Sequence, residues 1–295
     1  VDSTLTWQWE TEFFVQGAVV GQGSIENAGT WCDSGTVVRL TALPSNGWHF
    51  VGWRGDVDSG QAAQNPIDLT MDQARSVTAF FASDIIAQDL VLHYSFDNDS
   101  GGQVWDLSGN RNDGGLVGAV TYTNSLFDRG ARLTGSATMV VCPKTNFTFM
   151  GWTQFTMSAW VQLKGITMYQ PIVACGEMSG PQMGGMNLVL GGAGSPGQFL
   201  VYTNSVGNYV YVNSTTLYQG APREVGRWYH IVGSYDGQYL KYYIDGRVDA
   251  SQWVENIQVW DTNITKIVLG DSAAQPFIDW GDTYLNGVVD EFRLY

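Results

Sequence analysis

Between Leu90 and Tyr295 the sequence repeats one device about every ten residues: a short run of strand-forming residues, then a Gly, Asn or Asp turn. Candidate strands occupy 90–97, 131–142, 155–163, 170–175, 186–190, 197–203, 227–235, 239–245, 264–270 and 285–295. Many short strands at even spacing leave few folds open, and a β-sandwich is the first of them. No segment of about a dozen residues carries a helical period, and no apolar run reaches the ~18 residues needed to span a membrane. The chain reads as all-β, in keeping with 36 glycines, 13 % aromatic residues and only 14 % charged ones.

Turn chemistry sets some of the pairing. Asp236-Gly237 lies between Trp228–Tyr235 and Tyr239–Ile244, which reads as a hairpin, and Asp245-Gly246 repeats the device one strand later. The strand Leu92-His93-Tyr94-Ser95-Phe96-Asp97 puts Leu92, Tyr94 and Phe96 on one face. It leads to Asp106-Leu107-Ser108-Gly109-Asn110-Arg111-Asn112, a loop crowded with oxygen side chains. Val288–Tyr295 reads as its partner strand, bringing Asp290 to the same place.

Residues 1–82 form a smaller unit, and 83–89 a connector whose Ile85 and Ile86 argue for limited hinge motion. Thr36–Ala42 and His49–Trp53, joined by Pro44-Ser45-Asn46-Gly47, read as a hairpin over 36–53. Trp48 and Trp53 are expected in the core.

The formal net charge of −14 excludes a nucleic-acid partner, since no basic stripe is present to neutralise phosphates. Acidity fits solubility outside the cell or divalent-cation binding. Cys142 and Cys175 share one unit and either pair or stay as buried thiols, leaving Cys32 alone. The chain begins at Val1 without Met or leader and reads as a processed piece of a longer protein.

Two stretches resemble known families. Thr36–Asp56 (TVVRLTALPSNGWHFVGWRGD) and Leu69–Phe81 (LTMDQARSVTAFF) look like a divergent InlB-type B-repeat over roughly residues 12–82. That resemblance implies a small β-grasp-like module used as a spacer in secreted and surface proteins. The larger unit resembles the laminin-G-like, concanavalin A-like jelly-roll family. The matching pieces are Tyr94-Ser95-Phe96-Asp97, Asp106-Leu107-Ser108-Gly109-Asn110, Phe155–Val161, Gly226–Val232, Tyr242–Gly246 and Gly287–Tyr295, in the expected order. It implies a jelly-roll β-sandwich over 90–295, a structural Ca²⁺ near the first and last strands, and sugar sites on a concave face or in rim loops.

The loop Asp106, Ser108, Asn110 and Asn112 offers oxygens on alternate residues, and Asp97 and Asp290 can complete a hard-cation set. The competing reading gives the loop side chains only turn bonds to backbone. Sugar recognition needs aromatic planes beside polar groups. Tyr202, Tyr209, Tyr211, Trp253, Trp260, Trp280 and Tyr284 are loop-type candidates, with Arg223 as a polar contact, whereas Trp160, Trp228 and Tyr243 are read as core. Catalysis has little support. The paired carboxylates of a retaining glycosidase are missing, Asp290-Glu291 point to opposite faces, and His49, His93 and His230 have no neighbouring motif. The expectation is a non-catalytic, polysaccharide-binding accessory region of a secreted or surface multimodular protein, with neighbouring domains covalently attached and no membrane insertion. An adhesion module for protein or host glycan is the first alternative, and a cryptic hydrolase or lyase the second.

Overall fold

The computed structural model describes residues 9–58, 60–83, 89–135, 138–143, 149, 151–176, 184–203, 208–260, 266–271 and 284–295. These residues form strands, turns and loops with no helix among them, as the all-β reading requires. The chain divides into two compact units, 1–88 and 89–295.

The first unit has β1 (Glu12–Val20), β2 (Gly23–Glu26), β3 (Thr30–Asp33), β4 (Val37–Pro44), β5 (Trp48–Gly55), β6 (Ile67–Thr70) and β7 (Arg75–Ser83). They form two sheets, β3-β1-β7-β5 and β2-β4-β6, with β1 and β7 parallel. Alternate residues of the strands meet in one core of Val15, Leu40, Trp53, Ile67, Val77 and Phe81. Trp53 is buried there, and its indole N–H donates to the Gln64 carbonyl at 2.9 Å.

One expectation is corrected here. The Asn46-Gly47 turn forms, with Gly47 at φ +78° and the Trp48 N–H on the Ser45 carbonyl at 3.0 Å. It makes no hairpin, because β4 pairs with β2 and β6 while β5 pairs with β7. Leu40 and Ala42 of β4 pack face to face against Trp53 and Phe81, so the turn carries the chain from one sheet to the other.

The second unit has β8 (Leu92–Tyr94), β9 (Gln103–Val104), β10 (Gly114–Val117), β11 (Thr121–Asn124), β12 (Arg129–Leu133) and β13 (Met139–Pro143). Next come β14 (Phe155–Leu163), β15 (Pro171–Cys175), β16 (Met186–Val189), β17 (Gln198–Tyr202) and β18 (Tyr209–Asn213). The set ends with β19 (Trp228–Tyr235), β20 (Tyr239–Ile244), β21 (Arg247–Trp253), β22 (Lys266–Leu269) and β23 (Gly287–Leu294). One sheet runs β18-β17-β16-β15-β22-β13-β10-β9, and the other β11-β12-β23-β14-β19-β20-β21, with β8 on β23. Between them lies the core, drawing Leu188, Phe199 and Val201 from the first sheet and Met157, Ile231, Tyr242 and Phe292 from the second. Tyr242 crosses it, its hydroxyl donating to the Val189 carbonyl at 2.8 Å.

Both expected hairpins form, with Asp245 and Gly246 at φ +50° and +78° in the second, the conformation an Asp-Gly pair accepts. β8 pairs with β23 through Leu92↔Leu294 and Tyr94↔Phe292, so the first and last strands of the unit meet. No disulfide joins Cys142 and Cys175. Both sit beside Ile267, on opposite sides of β22, which places them about 10 Å apart, beyond disulfide reach.

Gly233 on β19 lets the sheets close. A Cβ there would stand 2.5 Å from the Phe199 ring. Gly233→Ala is expected to cost about 1–3 kcal/mol through overpacking, measured as a lower urea midpoint with the slope unchanged.

Candidate functional site

The oxygen-rich loop folds around Asp106, whose residue is completely buried. Its carboxylate accepts the backbone N–H groups of His93 at 3.0 Å, Ser108 at 2.9 Å and Asn112 at 2.9 Å, and the Ser108 hydroxyl at 2.8 Å. Four donors fill the capacity of two carboxylate oxygens. The amide nitrogens of Asn110 and Asn112 turn to the carbonyls of Leu90, at 2.8 Å, and Val91, at 3.1 Å. Asp106 and Ser108 are therefore corrected from cation ligands to a clasp, which straps the entry of β8 together with the amide nitrogens of Asn110 and Asn112; the Asn112 Oδ1 is buried without a hydrogen-bond partner.

Asp97 and Asp290 stand apart from that clasp. Asp97 accepts the Arg129 N–H at 3.1 Å. Asp290 accepts the Ser125 hydroxyl and, at 2.7 Å, the Glu291 N–H. Burial, then the charges of Glu291 and Asp97, push Asp290 up to about 7. Burial likewise raises Asp97, with Glu291 and Asp128 adding to it, and lifts neighbouring Asp99 to about 7. Although burial opposes it, Glu291 is held below its ordinary range by the His93 ring, at 3.0 Å, and by Arg293. Asp97 and Asp290 thus repel each other, and among the described residues no cationic side chain pairs with either, a donor set that fits a bound cation. Among the described residues no three His, Cys, Asp or Glu side chains converge to hold a metal unaided.

Four of the aromatic candidates come together on the outer side of the first sheet. Tyr209 and Tyr211 project from edge strand β18, 53 % and 46 % exposed, with ring centroids 6.1 Å apart. Tyr209 meets Tyr202 edge-on at 5.8 Å. Trp260 packs with Tyr202, Leu200 and Ala174 in a small cluster separate from the main core, and its backbone N–H reaches the Tyr202 carbonyl at 2.9 Å. Asn187, between Ala174 and Leu200 in the sheet register, forms the floor. Its amide nitrogen donates to the Tyr169 hydroxyl at 2.8 Å. Asn187 Oδ1 and the Trp260 indole nitrogen are buried without a hydrogen-bond partner.

The remaining candidates lie elsewhere. Trp253 is exposed on β21, the edge of the other sheet, across from Tyr239. Half-buried Tyr284 bridges to Asp271, and Trp280 lies outside the described residues. Arg223 is corrected from a ligand contact to a structural residue. Buried, it donates to the carbonyls of Ala221 at 2.8 Å, Ser195 at 3.0 Å and Leu217 at 3.1 Å.

Trp160, Trp228 and Tyr243 are not core residues, contrary to expectation; all three are half-buried on the outward positions of their strands. Trp160 stacks on His230 at 4.9 Å and meets exposed Phe127 at 5.6 Å. The signal was present in β14, where Phe155, Met157, Ala159, Val161 and Leu163 fill the inward phase. Asn187 and Tyr169 had no such signal, since an Asn within an apolar strand reads only as a weak strand residue.

The two facing antiparallel sheets, closed by their first and last strands, are a concanavalin A-like jelly-roll. Residues 134–295 match the family model of the concanavalin A-like lectin/glucanases superfamily, and residues 15–85 that of the divergent InlB B-repeat domain. The chain belongs to the concanavalin A-like lectin and glucanase superfamily and carries a divergent B-repeat ahead of its jelly-roll. Among solved structures it is similar to domain 4 of AbnA, an extracellular GH43 arabinanase from Geobacillus stearothermophilus, in complex with arabinotriose. The identity is 23 %, the coverage 70 % of this chain and 91 % of that one, and the TM-score 0.50. It is also similar to the binding domain of Paraclostridial Mosquitocidal Protein 1, at 16 % identity over 71 % of this chain, with TM-score 0.52. The binding domain of botulinum neurotoxin serotype G matches at 14 % identity over 70 % of this chain, with TM-score 0.51. The match spans 49 % and 47 % of those two toxin chains, and the likeness in all three is one of fold. No curated protein sequence matches the chain.

Asp106→Ala leaves three backbone N–H groups and a hydroxyl without their acceptor. A loss of about 3 kcal/mol or more is expected, read from urea unfolding. An unchanged midpoint would show that the clasp is dispensable.

Proposed function

We propose that this chain is a non-catalytic, glycan-binding region of a secreted multimodular protein. Its jelly-roll holds a polysaccharide, and its B-repeat serves as the spacer. The observation that carries this reading is the exposed Tyr209–Tyr211 pair beside Tyr202 and Trp260 on one sheet face. Such rings offer flat apolar planes to the C–H faces of sugars, while neighbouring amides and hydroxyls are available to their OH groups. The complex of the similar arabinanase domain with arabinotriose supports a saccharide ligand and makes arabinan the first polymer to try. Holding an attached carbohydrate-active enzyme at its substrate raises effective concentration without new chemistry.

The test is affinity electrophoresis in gels containing arabinan, xylan, mannan or β-glucan. Tyr209→Ala/Tyr211→Ala is expected to lose about tenfold or more in affinity with its melting temperature kept. A folded protein that no polysaccharide retards would overturn the reading in favour of a protein partner.

We read the Asp97 and Asp290 pair as the place of a structural Ca²⁺. Ser125, backbone carbonyls and water would supply the remaining oxygens. A divalent charge there relieves the repulsion between the buried carboxylates. Calcium added to chelator-treated protein should raise the melting temperature. Asp290→Asn should abolish that rise, whereas Asn110→Ala should leave it intact. Equal melting curves with and without the metal would remove calcium from the account.

A further inference from the structure

Resting on the glycan reading above, we infer that the site on the outer side of the first sheet is built for uncharged sugar hydroxyls and rejects carboxylated or sulfated chains. Asn187 is 5 % exposed, and its amide nitrogen is committed to Tyr169 at 2.8 Å, so Oδ1 turns the other way. That oxygen has no donor, and the Trp260 indole N–H, buried near the same floor, has no acceptor. Buried polar atoms without partners are uncommon in folded proteins and each raises the energy of the unliganded state. One orphan accepts and the other donates.

A hydroxyl does both. It gives its hydrogen to Asn187 Oδ1, and its lone pairs take the Trp260 N–H. A carboxylate or sulfate has no hydrogen to give, and it would set a negative charge against an amide oxygen. Among the described residues, the row that holds Asn187 carries no cationic side chain. The residues in register across β18, β17, β16, β15 and β22 are Tyr211, Leu200, Asn187, Ala174 and Val268. Lys266 shares the outer face of β22 with Val268 and stands one row from Asn187, beside Gly176, and the terminal nitrogens of Arg223 are bound to carbonyls. Moving an anion into such a place without a counter-charge is costly, and a chain of net charge −14 repels polyanions at longer range as well.

The experiment uses the whole chain and matched polymers. Retardation is compared in gels containing arabinan, dextran and hydroxyethylcellulose, and in gels containing sulfated arabinan, dextran sulfate and carboxymethylcellulose. At least one neutral polymer is expected to bind, with its charged counterpart about tenfold weaker or worse. Trp260→Phe, which keeps a ring plane and removes the N–H, should weaken neutral binding about tenfold at an unchanged melting temperature. Asn187→Asp should weaken it further, read alongside its own unfolding curve. Charged polymers bound as tightly as their parents would overturn the inference and leave the glycan reading standing. So would full affinity in Trp260→Phe. Absence of binding to all six polymers would instead overturn the glycan reading, and this inference with it.

Discussion

The pairing of β8 with β23 is the contact on which the jelly-roll depends. It joins residues about two hundred positions apart, Leu92 to Leu294 and Tyr94 to Phe292, so its loop-closure entropy is among the largest in the unit. Three devices offset that cost. Leu92, Tyr94, Phe292 and Leu294 are all buried in the main core. The Asp106 carboxylate takes the His93 N–H from inside the first strand. Beyond the pair, β23 is flanked by β14 over most of its length, which spreads the closure over a long, largely buried strand.

That arrangement explains why the two acidic groups near the junction have different fates. Burial pushes Asp106 upward too, but donors from its own loop and from His93 oppose that shift, and it anchors the turn. Asp97 and Asp290 face one another across the junction with few donors, and burial drives both upward. From the sequence alone, all six oxygen-bearing residues form one set, because the loop alternates oxygen side chains and the first and last strands are expected to pair beside it. What separates them is hydrogen-bond saturation, which depends on where the N–H groups of neighbouring strands point.

The same limit governs how much of the fold was legible. β14 spans the very residues its alternation marks, 155–163, because five apolar positions in phase leave no other register. The hairpin at Asp236-Gly237 was legible from turn chemistry, which is local. The hairpin at 36–53 failed because the turn is local but the pairing is not: Leu40 and Trp53 share a core by facing each other. β18 falls outside the expected strands, and so does the end of β21 that carries Trp253, since edge strands carry polar and aromatic residues on their open sides and lose the alternation. Tyr209 and Tyr211 were chosen as loop aromatics and sit on that edge strand. Their exposure follows from the edge position. Trp160, by contrast, is expected in the core because it lies in an alternating strand, yet its phase in that strand points outward.

Among deeply buried polar groups, satisfaction sorts structure from recognition in this molecule. Asp106 is a cation candidate because its loop alternates oxygen side chains, and Arg223 a ligand candidate because it is one of a few cations grouped in an acidic chain. The Asp106 carboxylate is filled by three backbone N–H groups and the Ser108 hydroxyl, and the terminal nitrogens of Arg223 are bound to carbonyls while its Nε stays buried without a partner. Asn187 and the Trp260 indole drew no attention as a pair, yet they are the groups on that face with unspent hydrogen-bonding capacity. A buried amide oxygen and a buried indole N–H left open cost stability that a water or a ligand hydroxyl can recover. Their position behind an exposed tyrosine pair, rather than deep in the main core, makes the recoverable energy available to something that arrives from solvent. On the proposed glycan reading, specificity comes from the floor and affinity from the rim, since aromatic planes accept many sugars while an open acceptor beside an open donor accepts a hydroxyl and resists an anion.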